Sequence, residues 1–459
     1  MTLHTTSGHG DQVHALVREL SAHDHWSSAQ LREHQQARLR ELLRHAVTTS
    51  PYYRQVLGTD VTYSDVPLTQ LPTLSKATLM ERYDEIVTDP RLKLADLEAH
   101  IAGPKASMPF LGEYRVLSTS GSTGLQGIFV YSDSDFMPWI AACIRMMSVL
   151  GVTPAMRLIG FGAPGAPHLS QHMQAGVMAD RLVERPSLSC ATPLPEMVQK
   201  LNAYQPEALL TYASIASLLA EEQLQGRLRI APRIVGHTGE VLAEDMRHRI
   251  REAWGVESEG VYAATEAPAI ASGSPEHVGM HLWEDHLIVE AVDERGQPVP
   301  PGVPSHKILV TNLVNRTQPL IRYELSDSII VDDSPNPTGR PFRRIVRVEG
   351  RSDDILRLPA PGGRTVAVHP LRLRAPFTAF PDVQIYQIVH DGAGLHVRLV
   401  LRPSAPPDTP ARVRAALARE LQQVGTSLLR IDVTPVPTID RESGHAAKFK
   451  LVKSSVSCG

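Results

Sequence analysis

Ser118-Thr119-Ser120-Gly121-Ser122-Thr123-Gly124 carries five hydroxyls and two glycines in seven residues. Glycine tolerates positive φ and lets a bound group come close to the backbone. Successive N–H groups and hydroxyls then form a nest for anionic oxygens. Coming after the short apolar run Val116-Leu117, the stretch predicts a strand leading into a polyphosphate-binding loop. The plainer reading is a flexible polar loop, and the rest of the chain has to decide between them. The Gly-Lys-Ser/Thr ending of a Walker loop is missing, so this is no P-loop of that type.

Working outward, short apolar runs at 158–161, 208–212, 230–235 and 261–263 read as strands alternating with helical patterns. At 243–254, Met246, Ile250, Ala253 and Trp254 fall on one helical face, with Gly255 just beyond the end. Such alternation predicts an α/β layered fold. Upstream, Leu39, Leu42, Leu43, Ala46 and Val47 recur at helical spacing over 27–47, Ser27 and Gln30 fit a capping box, and Pro51 ends the helix. Further helical pieces are read around 76–83. From 286 the texture changes to strands at 286–292, 307–312 and 329–332, joined by Gly/Pro turns. The final hundred or so residues read as a small α+β unit. It has a hairpin of 383–389 with 395–401 around Asp391-Gly392, a helix capped by Thr409 and Pro410 and running to Val424, and a strand at 431–436.

The 459 residues are enough for two to four domains, and 42% hydrophobic with 21% charged residues excludes bulk disorder. Lys plus Arg number 46 against 49 Asp plus Glu, a net charge of −3. That balance gives no general attraction to nucleic acid or to a membrane surface. No run reaches the ~18 apolar residues of a spanning helix, and the richest stretch, 136–152, is broken by Arg145. No signal peptide is legible at the start. The three cysteines, Cys143, Cys190 and Cys458, have no metal or redox spacing, which suits a reducing cytoplasm.

Four further segments carry chemistry. Val261-Tyr262-Ala263-Ala264-Thr265-Glu266 puts a carboxylate at a strand end, where it can hold Mg²⁺ together with substrate phosphates. The aromatic four residues earlier can stack on a purine. Asp327, after the run Leu320-Ile321-Arg322-Tyr323, is an acceptor able to take both hydroxyls of a ribose. Glu349-Gly350-Arg351-Ser352-Asp353-Asp354 lies at the predicted domain boundary, and Gly444-His445-Ala446-Ala447-Lys448-Phe449-Lys450 near the end of the sequence. Alone, each is as well read as a turn or a solvated charged segment.

Their order and spacing, with Gly239-Glu240 between them, resemble the adenylate-forming (ANL) superfamily, and specifically phenylacetate–CoA ligase and its relatives. Pro51-Tyr52-Tyr53, Leu71-Pro72-Thr73-Leu74-Ser75-Lys76 and His281-Leu282-Trp283-Glu284-Asp285-His286 point the same way. The resemblance runs from about Trp26 to Val452. It implies an α/β fold with a large multi-subdomain N-terminal adenylation domain, 1–352, and a small mobile α+β C-terminal domain, 353–459, carrying the catalytic Lys. It implies that a small-molecule carboxylic acid of aryl or arylacetic type reacts with MgATP to give acyl-AMP and pyrophosphate, and that coenzyme A then takes the acyl group as a thioester. By motif, Ser120, Gly121, Ser122, Thr123 and Gly124 would hold the β- and γ-phosphates. Gly239 and Glu240 would border the adenine and Tyr262 would stack on it; Thr265 would touch the α-phosphate and Glu266 the Mg²⁺ ion. Asp327 and Arg351 would bind the ribose, Asp353 would be the hinge, and Lys448, or Lys450 if the register shifts, would reach the carboxylate and the bridging oxygen. A cytoplasmic enzyme without nucleic-acid or membrane partners follows, a homodimer being one assembly compatible with it.

The sequence departs from the family at Leu125-Gln126, Ala263, Leu325-Ser326 and Ala447, and most of all at 358–363. There Leu358-Pro359-Ala360-Pro361-Gly362-Gly363 is proline-rich where the family has a Gly-containing loop that contacts coenzyme A. This motivates a second expectation, an acyl-AMP-forming enzyme whose acceptor is an amine, a carrier-protein thiol or another nucleophile. A third, from a different class, is a catalytically inactive nucleotide- or acyl-binding module; retention of Glu266, Asp327, Arg351 and Lys448 argues against it. Gly160-Phe161-Gly162-Ala163-Pro164-Gly165 spells a dinucleotide fingerprint, but Ala166-Pro167 is a poor helix start, and a nicotinamide site is discounted. His281, Glu284, Asp285 and His286 are read as structural rather than metal-binding, and the His168/His172 pair lacks the Glu of a zinc helix.

Overall fold

The computed structural model of the chain describes residues 7–59, 67–119, 125–163, 168–173, 186–351, 356–368, 370–380, 382–427, 430–439 and 451–454. The capping box is formed as expected: the Ser27 hydroxyl accepts from Gln30 N and the Gln30 carboxamide accepts from Ser27 N, opening a helix over Ser28–Thr49. Leu31, Leu42, Leu43, Ala46 and Val47 are its buried face. Ser50 ends it and caps the next helix, Pro51–Leu57, in which Pro51 takes the first position, where no N–H is needed.

Strands β1 (Tyr114–Ser118) and β2 (Ile128–Ser132) form an antiparallel hairpin. The hydroxyl-rich stretch begins at its tip, where Thr119 N donates to Gly127 O and Gly127 N to Thr119 Oγ1. The main sheet begins with β3 (Leu158–Gly162), β4 (Ser187–Ser189), β5 (Ala208–Tyr212), β6 (Ile234–Thr238) and β7 (Ser258–Tyr262), all parallel. Parallel strands need crossovers, and the helices Leu194–Tyr204, Ala213–Leu224 and Glu244–Trp254 supply them. Strand residues Ile159, Leu209 and Val235 bury against Leu201, Leu219 and Ile250 of those helices. The expected strand at 230–235 begins only at Ile234: Pro232 has no N–H for the ladder. Likewise β7 covers 258–262 rather than 261–263, and Ala243 is the extended cap of its helix.

β8 (Ala271–Ser274) and β9 (His277–Leu282) continue the sheet antiparallel. The chain leaves it for a three-stranded sheet, β10 (Leu287–Val292), β11 (Lys307–Asn312) and β12 (Tyr323–Leu325), then returns as β13 (Asp327–Asp332) and β14 (Arg344–Arg351). The order across the nine-stranded sheet is β13-β14-β9-β8-β7-β6-β5-β3-β4. The helix Asp133–Val149 buries Trp139, Ile140 and Met146 in the same core as Leu158 and Ala208.

That helix also buries Arg145, 1% exposed. Its guanidinium donates at 2.7 and 2.9 Å to the two oxygens of Asp285, which His23 and His286 also meet. Burial alone would raise the Asp285 pKa; Arg145, His286 and His23 outweigh it and hold the carboxyl well below its ordinary value. Glu284 is taken by Arg343. The 281–286 segment is thus a structural ion cluster, and no metal-binding group of His, Cys, Asp or Glu occurs among the described residues.

The last strands are the pair β15 (Leu356–Ala360) with β16 (Arg364–Val368), then β17 (Val383–His390), β18 (Gly394–Leu401), β19 (Arg430–Pro435) and β20 (Val452–Ser454) in a sheet of order β19-β18-β17-β20. β17 and β18 are the expected hairpin. The helix Thr409–Gln423 packs Val413, Leu417 and Leu421 into the core of this unit. Thr409 is its first residue and Asp408 its cap, because the fixed φ of Pro410 fits the opening turn.

Candidate active site

A cavity of about 550 Å³ opens at the carboxyl ends of β5, β6 and β7. Ligands of open α/β sheets sit there, where strands end and backbone groups are unpaired. Its lining includes the apolar Cys143, Met146, Met147, Leu158, Phe161 and Leu210 and the polar or charged Lys76, Thr119, Thr265, Glu266, Asp327 and Arg351.

Residues 263–267, after β7, are pinned from behind. Tyr131 donates to Thr265 O at 2.7 Å and Asn312 Nδ2 to Glu266 O at 3.0 Å, while Ala264 and Ala267 exchange backbone hydrogen bonds. Glu266 is 4% exposed. Burial raises its pKa, partly countered by Lys76, by its own N–H and by Arg351. Asp327 and Arg351 face each other as cross-strand partners of β13 and β14, with Arg351 Nε 3.4 Å from Asp327 Oδ1. Tyr262 is beside them; burial first, then Asp327, pushes its phenol well above the ordinary value.

Lys76 arrives from far away in sequence. Leu74 pairs with β12, its N–H donating to Arg322 O and its carbonyl accepting from Glu324 N. The hydroxyl of Ser75 then caps the helix Lys76–Glu81. Arg322, at φ +50°, is held by two 3.0 Å bonds to Glu290 and by the carbonyls of Thr69 and Leu71. Such over-determination is what keeps a non-glycine residue in the left-handed region.

Of the residues singled out in the sequence, Gly239, Thr265, Glu266, Asp327 and Arg351 line this cavity. Gly239 does so at φ +73°, which its lack of Cβ permits. The Glu240 carboxylate accepts from Ser214 N and Oγ, tying the 239–240 turn to the helix Ala213–Leu224. Ser120, Gly121, Ser122, Thr123, Gly124, Asp353 and Lys448 lie outside the described residues. Lys76, His237, Thr238, His306 and Lys307 line the cavity without having been given a role in the site from the sequence. Burial, helped by Arg247, pushes the His237 pKa down to about 3, so the ring is neutral, with Nδ1 2.9 Å from Ser258 Oγ.

No family model matches the chain. It is 27% identical over 377 residues to a phenylacetate-coenzyme A ligase of Thermus thermophilus, covering 78% of each chain. To the enzyme of that name from Aromatoleum evansii it is 25% identical over 425 residues, 86% of this chain and 87% of the other. These relatives support placing the chain in the phenylacetate–CoA ligase-like branch of the adenylate-forming superfamily. Staphylococcus aureus protein CapK is 22% identical over 71% of the chain. Among solved structures, 2-hydroxyisobutyryl-CoA ligase shares the fold at 19% identity. Its post-adenylation form superposes at TM-score 0.73 over 94% of this chain and 91% of that one. Its thioesterification form, over the same shares, gives 0.57 at 20% identity. The mixed α/β architecture is thus that of adenylate-forming enzymes, with a large N-terminal and a smaller C-terminal part. Among the described residues, no helix is long and apolar enough to cross a membrane.

Proposed function

We propose that this chain is an AMP-forming acid–CoA ligase: it condenses a carboxylic acid of aryl or arylacetic type with ATP to acyl-AMP, releases pyrophosphate, and transfers the acyl group to coenzyme A in the cytoplasm. The observation that carries this reading is one cavity whose lining joins apolar side chains to Lys76, Thr265, Glu266, Asp327 and Arg351. An acid with an apolar body and a charged head fits such a site, and a nucleotide fits its polar and charged groups. The sequence relatives supply the thioester half of the proposal.

The difficulty of the first step is that a carboxylate must approach an anionic α-phosphate. Fixed positive groups and donors aimed at the developing charge lower that barrier. Lys76 is one such cation in the cavity; Lys448, brought in by the C-terminal domain 353–459 turning about Asp353, is the second in this reading. Thr265 contacts the α-phosphate, Tyr262 and the 239–240 turn flank the base, and Asp327 with Arg351 fixes the ribose. The hydroxyls and N–H groups of 120–124 hold the outer phosphates. A buried carboxylate with a raised pKa, as at Glu266, is short of positive charge and fits a divalent cation. Without a protein cluster of three ligands among the described residues, Mg²⁺ would take its other oxygens from ATP and water, as it ordinarily does. When bound it neutralises phosphate charge. For the rest, the chain's own side chains bind, orient and exclude water.

A second reading, in which the acceptor is not coenzyme A, is favoured by Pro359 and Pro361 in β15 and the turn after it. Incubating the protein with candidate acids, ATP and Mg²⁺, with and without coenzyme A, tests both. Acid-dependent ATP–pyrophosphate exchange plus a thioester mass supports the first reading. Exchange without thioester supports the second, and no exchange with aryl, amino or short-chain acids overturns both.

A further inference from the structure

The sheet of β17–β20 is fastened to the helices behind the cavity by a seam with a buried arginine at its centre. Arg249, 7% exposed on the helix Glu244–Trp254, donates to Ser217 Oγ at 2.6 Å on the neighbouring helix. The same guanidinium donates across the seam to the carbonyls of Val383, at 3.0 Å, and Gln384, at 3.2 Å, in β17. Glu221, 4% exposed, lies 3.6 Å from Arg249 Nε and accepts at 2.6 Å from Arg402, which follows β18. Arg374 adds a bond at 3.0 Å to Val241 O, next to the 239–240 turn at the cavity rim. Ile439 and Leu451, the described residues on either side of 440–450, both border this seam beside Asp245, Arg249 and Tyr386. Leu451 also packs on Ala213, Ala243 and Met246.

We propose that Arg249, with the Glu221–Arg402 pair, is the latch that holds the C-terminal sheet in the acyl-AMP-forming orientation, making Arg249 a positioning residue for the first half-reaction alone. The proposal rests on the ligase reading. A planar guanidinium spanning one hydroxyl and two carbonyls fixes direction as well as distance, which a point charge does not. The seam borders Ile439 and Leu451, the described residues that flank the segment carrying Lys448, and Arg249 does not itself line the cavity, so its loss weakens the seam without touching a cavity-lining group. The arrangement also superposes better on the post-adenylation form of the comparison ligase than on its thioesterification form. A ligand-dependent change of orientation is a two-state equilibrium, and a contact made in one state biases it by its own differential energy.

The test uses the full chain. Arg249→Met and Arg402→Gln are compared with the wild type in acid-dependent ATP–pyrophosphate exchange, and in thioester formation from supplied acyl-AMP and coenzyme A. The latch predicts that exchange falls about tenfold or more, while thioester formation from acyl-AMP is kept or rises. Small-angle scattering should show a broader distribution of shapes. Arg402 is the fallback because its side chain is 27% exposed, so its replacement disturbs the packed core less than Arg249→Met does. Parallel loss of both half-reactions, or no change in either, overturns the latch. A wild type with no acid-dependent exchange would instead remove the ligase reading. The seam is then judged by scattering, and unchanged profiles for both variants overturn it.

Discussion

Replacing Glu266 by Gln should move stability and activity in opposite directions. The side chain is 4% exposed, and its carboxylate meets the Tyr323 hydroxyl only at a long 3.5 Å. Burial outweighs the help it receives from Lys76, its own N–H and Arg351, so the folded-state pKa is raised. Leaving a buried polar group short of partners costs about 1–3 kcal/mol, and the neutral, isosteric Gln should recover much of that as a higher urea midpoint. The sign with pH follows from linkage. The folded pKa lies above the unfolded one, near 4.3, so the wild type is at no disadvantage below the unfolded value. Its deficit relative to Glu266→Gln opens as pH rises through the folded pKa. Activity should go the other way. Loss of a charge that acts on the phosphates costs ~10²–10³ in rate, or about 3–4 kcal/mol, read as ATP–pyrophosphate exchange at saturating acid. Urea titrations at several pH values and exchange assays on the same preparations decide it. A variant that is less stable and less active together would show that Glu266 only builds the loop, and undiminished exchange would remove it from the reaction.

Asp327→Asn keeps the shape of the side chain but loses its charge toward Arg351 and a ribose, so the KM for ATP should rise about tenfold, near 1.4 kcal/mol, with kcat less affected; steady-state kinetics at varied ATP checks this. Lys448→Ala should nearly stop pyrophosphate exchange while ATP still binds by calorimetry; unchanged exchange would move the assignment to Lys450. Arg145→Met strands the buried Asp285 carboxylate and should destabilise the chain by about 3–5 kcal/mol, seen by chemical denaturation. Because the Asp285 pKa is depressed, the cluster's contribution is present above the unfolded carboxylate pKa and fades as pH falls through the folded one. The gap between Arg145→Met and wild type should therefore close in acid.

The residues that line the cavity from the sheet were legible because their signal is local. Thr265, Glu266 and Asp327 follow apolar runs, and a strand must stop where its turn begins. The capping box at Ser27 was legible for the same reason. Lys76 was not, since what brings it to Glu266 is the pairing of Leu74 with Arg322 and Glu324 across some 250 positions, a contact without sequence periodicity. The start of β6 was misplaced because Ile230 is as apolar as Ile234, and the Pro232 between them decides. Arg145 served in the sequence only as a charge that no spanning helix would carry; its bidentate partner Asp285 is 140 residues away.

The cavity lining is rich in sulfur, with Cys143, Met146, Met147 and Met173 all on it. Unbranched thioethers conform to differently shaped guests, but peroxide turns each into a polar sulfoxide. Oxidative inactivation of this protein should therefore begin as lost grip on the substrate's hydrocarbon body, well before the chain unfolds. A saturating acid, by sealing the pocket, should act as its antioxidant.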